Sequence, residues 1–188
     1  MTDHLAIDAS EIARIAARID RPIVLVGLMG VGKSTVGRKL AEMLERDFID
    51  ADDAIENAAQ RSIAEIFEEF GEAYFRDGER RVIGRLIEES GGVIATGGGA
   101  FVDPETRTLI LDKAIAVWID TDIDILVERT SRRDTRPLLR NGDPKEVLTR
   151  LYKSREPFYS QAQIRVKSEN APHSEAAEAI LEAIDRWI

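Results

Sequence analysis

Apolar residues along this chain follow two rhythms. Short unbroken runs occur at 23–26, 48–49, 93–95 and 115–119, and an alternating one at 164–166. Their length and their isoleucine and valine content predict five strands. Between the strands, apolar residues recur every three or four positions. Val36, Leu40, Met43 and Leu44 form one such set, predicting a helix that runs to about residue 46. Phe75, Val82, Ile83, Leu86 and Ile87 form another, predicting a helix to about residue 89. Val147, Leu148, Leu151 and Tyr152 form a third, and Ala177, Ile180, Leu181, Ile184 and Trp187 the last. Strands that alternate with helices imply βαβ units, a parallel sheet and helices on both of its faces.

Polar punctuation sets the boundaries. Ser62 and Glu65 form a capping box opening a helix through Phe70, and Gly71 breaks it. Asp103 before Pro104, Asp122, and Asp143 before Pro144 read as caps of further helices. Ile12, Ile15, Ala16 and Ile19 share one face of a short helix over 10–19, which packs on the domain, frays or mediates association. At 188 residues the chain is read as a helical leader, 1–20, and one domain, 21–188. The segment at about 131–145 has polar turn chemistry and little apolar periodicity, the character of an active-site lid.

The first strand enters a glycine-rich turn, in which residues 27–35 read Gly-Leu-Met-Gly-Val-Gly-Lys-Ser-Thr. Gly27, Gly32, Lys33 and Ser34 fit the phosphate-loop pattern. Such a loop converges backbone N–H groups on a polyphosphate, and the following helix adds its positive end. Lys33 is placed to reach the β- and γ-phosphates, and the Ser34 hydroxyl to hold Mg²⁺. Asp50, Asp52 and Asp53 follow the second strand, at the sheet end where ligands bind, though Asp52 or Asp53 could equally start a helix. Gly97, Gly98 and Gly99 follow the third strand and permit close backbone approach to a ligand, unless they make only a tight turn.

Composition narrows the classes. A net charge of −9 disfavours nucleic-acid binding by bulk electrostatics. Positive charge is instead local: Arg129, Arg132, Arg133, Arg136 and Arg140 lie close together against one acid, Asp134. There is no cysteine, which excludes disulfides and thiolate metal sites and suits a reducing compartment. No apolar run approaches membrane-spanning length, and the first twenty residues lack the basic start of a secretory signal, so the default location is cytoplasmic and no membrane partner is expected. A phosphate loop with a cationic lid indicates phosphoryl transfer. From the residues alone the acceptor is only a small molecule. Another metabolite kinase, for gluconate or a nucleotide, and a non-enzymatic nucleotide switch remain open.

Six stretches together narrow the acceptor. They are the loop at 27–37, the run at 48–52, Phe75 to Glu79 (Phe-Arg-Asp-Gly-Glu), Gly97 to Ala100, Arg136 to Leu139 (Arg-Pro-Leu-Leu), and Arg155 to Tyr159 (Arg-Glu-Pro-Phe-Tyr). In order and spacing they closely resemble shikimate kinase over about residues 21–187. The resemblance implies a nucleoside-monophosphate-kinase-like P-loop three-layer sandwich whose five-stranded parallel sheet has the order 2-3-1-4-5. It also implies ATP and Mg²⁺ as cofactors and phosphorylation of the shikimate 3-hydroxyl in aromatic amino acid biosynthesis; a monomer is the expectation, which the sequence alone does not decide. The matching positions are Gly30, Val31, Gly32, Lys33, Ser34 and Thr35 for ATP, with Arg129 near adenine and Arg136 on the transferring phosphate. Ser34 matches the direct Mg²⁺ ligand and Asp50 an acid acting through water. Asp52 matches the residue on the acceptor hydroxyls, a possible base. Arg76 and Arg155 match the carboxylate pair, and Gly97, Gly98 and Gly99 the substrate turn. Lys33, Asp52 and Arg136 are thus the expected catalytic set. Four departures stand out: Ala51 between the acids where a hydroxyl residue is usual, the extra Asp53, no arginine or glutamine at 168–173, and a longer leader.

Overall fold

The computed structural model describes residues 7–132 and 142–188. Helix α1 (Ala9–Arg18) precedes β1 (Ile23–Val26), α2 (Lys33–Met43) and β2 (Phe48–Asp50). Three helices follow: α3 (Ala51–Ala59), α4 (Ile63–Phe70) and α5 (Glu72–Glu89). Then come β3 (Val93–Ala95), α6 (Pro104–Lys113), β4 (Ile115–Asp120), α7 (Ile123–Ser131), α8 (Pro144–Tyr159), β5 (Ile164–Lys167) and α9 (His173–Trp187). The five strands form one parallel sheet in the order β2-β3-β1-β4-β5.

That order follows from burial. Every residue of β1, β3 and β4 is buried, as the unbroken apolar runs require of central parallel strands. The edge strands differ: β2 is half-buried throughout, and β5 alternates buried with exposed. Helices α2, α9 and α1 pack together, and so do α5 and α6. Chain direction places the ends of β1, β2, β3 and β4 along one rim. The connections reverse at β1, which lies between β3 and β4, so the loop after β1 opens at the switch point where open α/β sheets bind ligands.

Local chemistry explains most boundaries. The Ser62 and Glu65 box is formed as read: the Ser62 hydroxyl accepts from the Glu65 N–H at 3.1 Å, and Glu65 accepts from the Ser62 N–H at 2.7 Å. Asp103 caps α6 through the Thr106 N–H. Asp122 and Asp143 occupy the first caps of α7 and α8, but neither side chain makes the cap bond. Helix α2 ends at Met43, before the expected residue 46. Glu45 turns left-handed at φ 53, and the Arg46 N–H reaches back to the Ala41 carbonyl at 2.9 Å. This is a six-to-one closure that normally carries glycine. Helix α8 runs past Arg155 and through Pro157, which deletes only one helical donor.

The described part of the leader, residues 7–20, is docked. Ile15 and Ile19 are 1% and 5% exposed and join the main core. Arg14 and Arg18 pair with Asp185 of α9 at 2.8 and 2.6 Å. Arg46 donates to the Ala16 and Ile19 carbonyls at 3.0 and 2.8 Å, closing the last turn of α1. No helix among the described residues is long and apolar enough to cross a membrane.

Candidate active site

The loop after β1 wraps the start of α2. Gly32 stands at φ +94, a left-handed conformation that suits glycine, and begins the helix. Lys33 is folded back under the loop, its ammonium donating to the Gly27 and Leu28 carbonyls at 2.6 and 2.9 Å. Ser34 donates its hydroxyl to Asp50 Oδ2 at 2.7 Å. The other oxygen of Asp50 accepts from the Asp52 and Asp53 N–H groups at 2.9 and 3.4 Å, so Asp50, not Asp52 or Asp53, caps α3. Asp52 is thereby free of capping duty and faces the cleft.

That cleft holds about 560 Å³, within the ordinary range for a small-molecule site. Its walls include Gly30, Gly32, Lys33, Ser34, Thr35, Asp50, Asp52, Gly97, Gly98 and Arg129. Val31 differs: its side chain is buried in the core, leaving only its backbone for a ligand. Arg129 donates to the carbonyls of Val31 and Glu169, both at 3.3 Å, and ties the 168–173 turn to the phosphate loop. A second hollow of about 830 Å³ is lined by Arg76, Gly99 and Arg155, with Arg80 and Glu105 at its rim.

The glycine turn joins the two spaces. A β-carbon on Gly97 would stand 2.9 Å from Asp52 Oδ1, one on Gly98 2.8 Å from Arg155 Nη1, and one on Gly99 would collide with the Arg76 guanidinium. Each glycine thus abuts one of the three side chains expected on the acceptor. Residues from α3, α5 and α8 converge on one loop because that loop has no side chains in the way. Arg136 and most of the expected lid, residues 133–141, lie outside the described residues.

Charge is uneven here. Burial, then the neighbouring Asp50 carboxylate, push the Asp52 carboxyl upward, while Lys33 opposes them. That favours a carboxylate able to accept a proton. Glu79, beneath Arg76, is pushed up to about 7 by burial, with the Arg76 guanidinium pulling the other way. Arg76 donates to Glu79 at 2.7 Å, and the Glu79 side chain is 2% exposed. Glu79 ends the Phe75 to Glu79 stretch, and nothing in its local sequence marks it as buried. His173 ends the stretch 168–173, which has no arginine or glutamine. It opens α9 in the cleft wall, its ring 3.4 Å from where a Gly32 β-carbon would stand. Only tertiary packing brings these two segments together.

A serine hydroxyl beside a carboxylate is a donor set for a hard cation. Among the described residues no three His, Cys, Asp or Glu side chains form a metal cage. Mg²⁺ suits such a sparse site, because it keeps waters and takes phosphate oxygens. Ser34 and Asp50 therefore fit it.

The shikimate kinase family model matches residues 29–185. A shikimate kinase of Novosphingobium aromaticivorans is 57% identical over 190 residues, spanning 99% of this chain and 98% of that protein. One from Caulobacter vibrioides is 57% identical over 164 residues, spanning 87% of this chain and 82% of that protein. Among solved structures, shikimate kinase from Acinetobacter baumannii in complex with shikimate superposes with a TM-score of 0.84 at 37% identity, covering 92% of this chain and 97% of that one. A gluconokinase from Sinorhizobium meliloti reaches a TM-score of 0.61 at 19% identity over 90% of this chain and 94% of that one, a likeness of fold alone.

Proposed function

The chain belongs to the shikimate kinase family, and from that premise we propose that it transfers the γ-phosphoryl group of ATP to the 3-hydroxyl of shikimate. The observation that carries this reading is the glycine turn with Asp52, Arg155 and Arg76 each packed against one glycine. Two arginines match a carboxylate on the acceptor, since their planar forks bind it bidentately. A neutral sugar would leave that charge without a partner.

Each residue then has a task. Arg76 and Arg155 hold the acceptor carboxylate, and the Gly97 to Gly99 backbone closes on its ring. Asp52 orients the 3-hydroxyl and takes its proton as the hydroxyl oxygen bonds to the γ-phosphorus. The bond from that phosphorus to the β–γ bridging oxygen breaks, and ADP leaves. Lys33 exchanges its loop carbonyls for the β- and γ-phosphate oxygens. Ser34 and Asp50 are the residues to hold Mg²⁺, which when bound neutralises phosphate charge. Arg136 acts from the lid on the transferring group, and Arg129 lies along the nucleotide. A monomer is part of this reading.

A coupled assay of ADP release tests the reading. ATP with shikimate should give turnover, and gluconate or nucleoside monophosphates should not. ATP turnover that ignores shikimate would overturn it.

A further inference from the structure

One buried polar group beside the acceptor site has no task in that chemistry. Tyr159 ends α8 and is 1% exposed, and its hydroxyl donates to the Gly98 carbonyl at 2.5 Å. Its ring packs against Trp118 of β4, with centroids 5.9 Å apart. Arg155 lies one helical turn earlier, and its guanidinium also bears on the Tyr159 hydroxyl. Arg155 Nη1 approaches to 2.8 Å of where a Gly98 β-carbon would stand. The phenol therefore touches the glycine turn and the carboxylate clamp at once.

Backbone geometry gives this contact leverage. None of the described peptide bonds is cis. In a trans peptide the Gly98 carbonyl and the Gly99 N–H point in opposite directions. Holding the carbonyl toward α8 fixes the N–H on the other side. The turn has its own bonds, Ala100 N–H to Gly97 and Val102 N–H to Gly99, at 3.3 and 3.1 Å. These close it after Gly99 and leave the Gly98 carbonyl to Tyr159. Three glycines in a row are otherwise the most freely jointed backbone a chain can have.

We propose that Tyr159 is a positioning residue for the acceptor: its hydroxyl binds the glycine turn and Arg155 into one rigid unit, so that acceptor affinity depends on a group the acceptor never touches. This rests on reading the cleft as the shikimate site.

Tyr159→Phe removes only the hydroxyl and leaves the ring against Trp118. The shikimate KM should rise roughly tenfold, the factor expected for one lost hydrogen bond, with the ATP KM within about twofold of the parent. A merely structural tyrosine would lower the melting temperature and leave both KM values alone, and that result overturns the proposal. In a double-mutant cycle with Arg155→Lys the two penalties should not add, and additive penalties count against a shared unit. Hydrogen exchange on the ligand-free protein gives a readout independent of the substrate assignment. The Ala100 and Val102 amides, which close the turn, should exchange about tenfold or more faster in the Phe variant. Unchanged exchange overturns the rigid-unit proposal even if shikimate proves to be the substrate. Faster exchange in a protein that does not phosphorylate shikimate would support the latch and refute the substrate.

Discussion

Glu79→Gln isolates the effect of one buried carboxyl on stability. The Glu79 side chain is 2% exposed, and the group titrates at about 7 against an ordinary 4.5. Burial is the main cause, Arg76 offsets part of it, and the carboxylates of Asp52 and Asp103 add to it. Between those two pH values the folded chain holds a proton that the unfolded chain has released. Stability therefore falls as pH rises through this window and levels off above it. At 1.36 kcal/mol per pH unit, the rise from 4.5 to about 7 corresponds to a loss of about 3 kcal/mol. Glutamine keeps the shape and an oxygen for Arg76, but it does not ionise. Urea unfolding of both proteins should show the variant gaining about 2.5 kcal/mol on the parent between pH 5 and pH 8. A difference that stays flat across that range, or a variant weaker at pH 8, would refute the burial argument.

Three other substitutions probe separate parts. Gly99→Ala puts a methyl group into the Arg76 guanidinium; the acceptor KM should rise by roughly tenfold or more through a charged hydrogen bond lost, with the ATP KM steady. Steady-state kinetics with both substrates varied would reveal it. Arg136→Ala should lower kcat by about 10³-fold, as for other arginines on a transferring phosphoryl group. A shikimate KM that collapsed at normal kcat would assign Arg136 to the acceptor instead. Ile15→Ala opens a hole beneath the leader and should cost about 3 kcal/mol in denaturant unfolding while leaving both KM values unchanged. A cost under about 0.5 kcal/mol would mean that the leader lies loosely on α9 in solution.

Much of this was written in short-range patterns. The β1 run and the Ser62 box are local signals, and the structure places both where their chemistry put them. Phosphate-loop spacing and the acids after β2 located the cleft for the same reason: chain direction alone carries strand ends to one rim. Other features depended on distant partners. β4 extends to Asp120 because its backbone stays in register with Lys167 of β5 and accepts from the Ser168 N–H at 2.7 Å. The end of α2 lacked its usual glycine, so Glu45 gave no warning. The sequence offers Asp52 or Asp53 as the cap of α3, and the hydrogen bonds give that role to Asp50 instead. Glu79 and Tyr159 carry no local mark of burial. Their importance appears once α5 and α8 meet over the glycine turn.

Asp50 spans the two halves of the site with its two oxygens, one on the phosphate-loop serine and one on the first turn of the helix that presents Asp52. On the proposed reading of Asp52 as the acceptor's acid, whatever draws Ser34 toward a nucleotide tugs at the same Asp50 carboxylate that squares up Asp52. Donor and acceptor thus share a hinge pin one side chain wide. By thermodynamic reciprocity, any grip that ATP lends to shikimate through this pin is returned in equal measure.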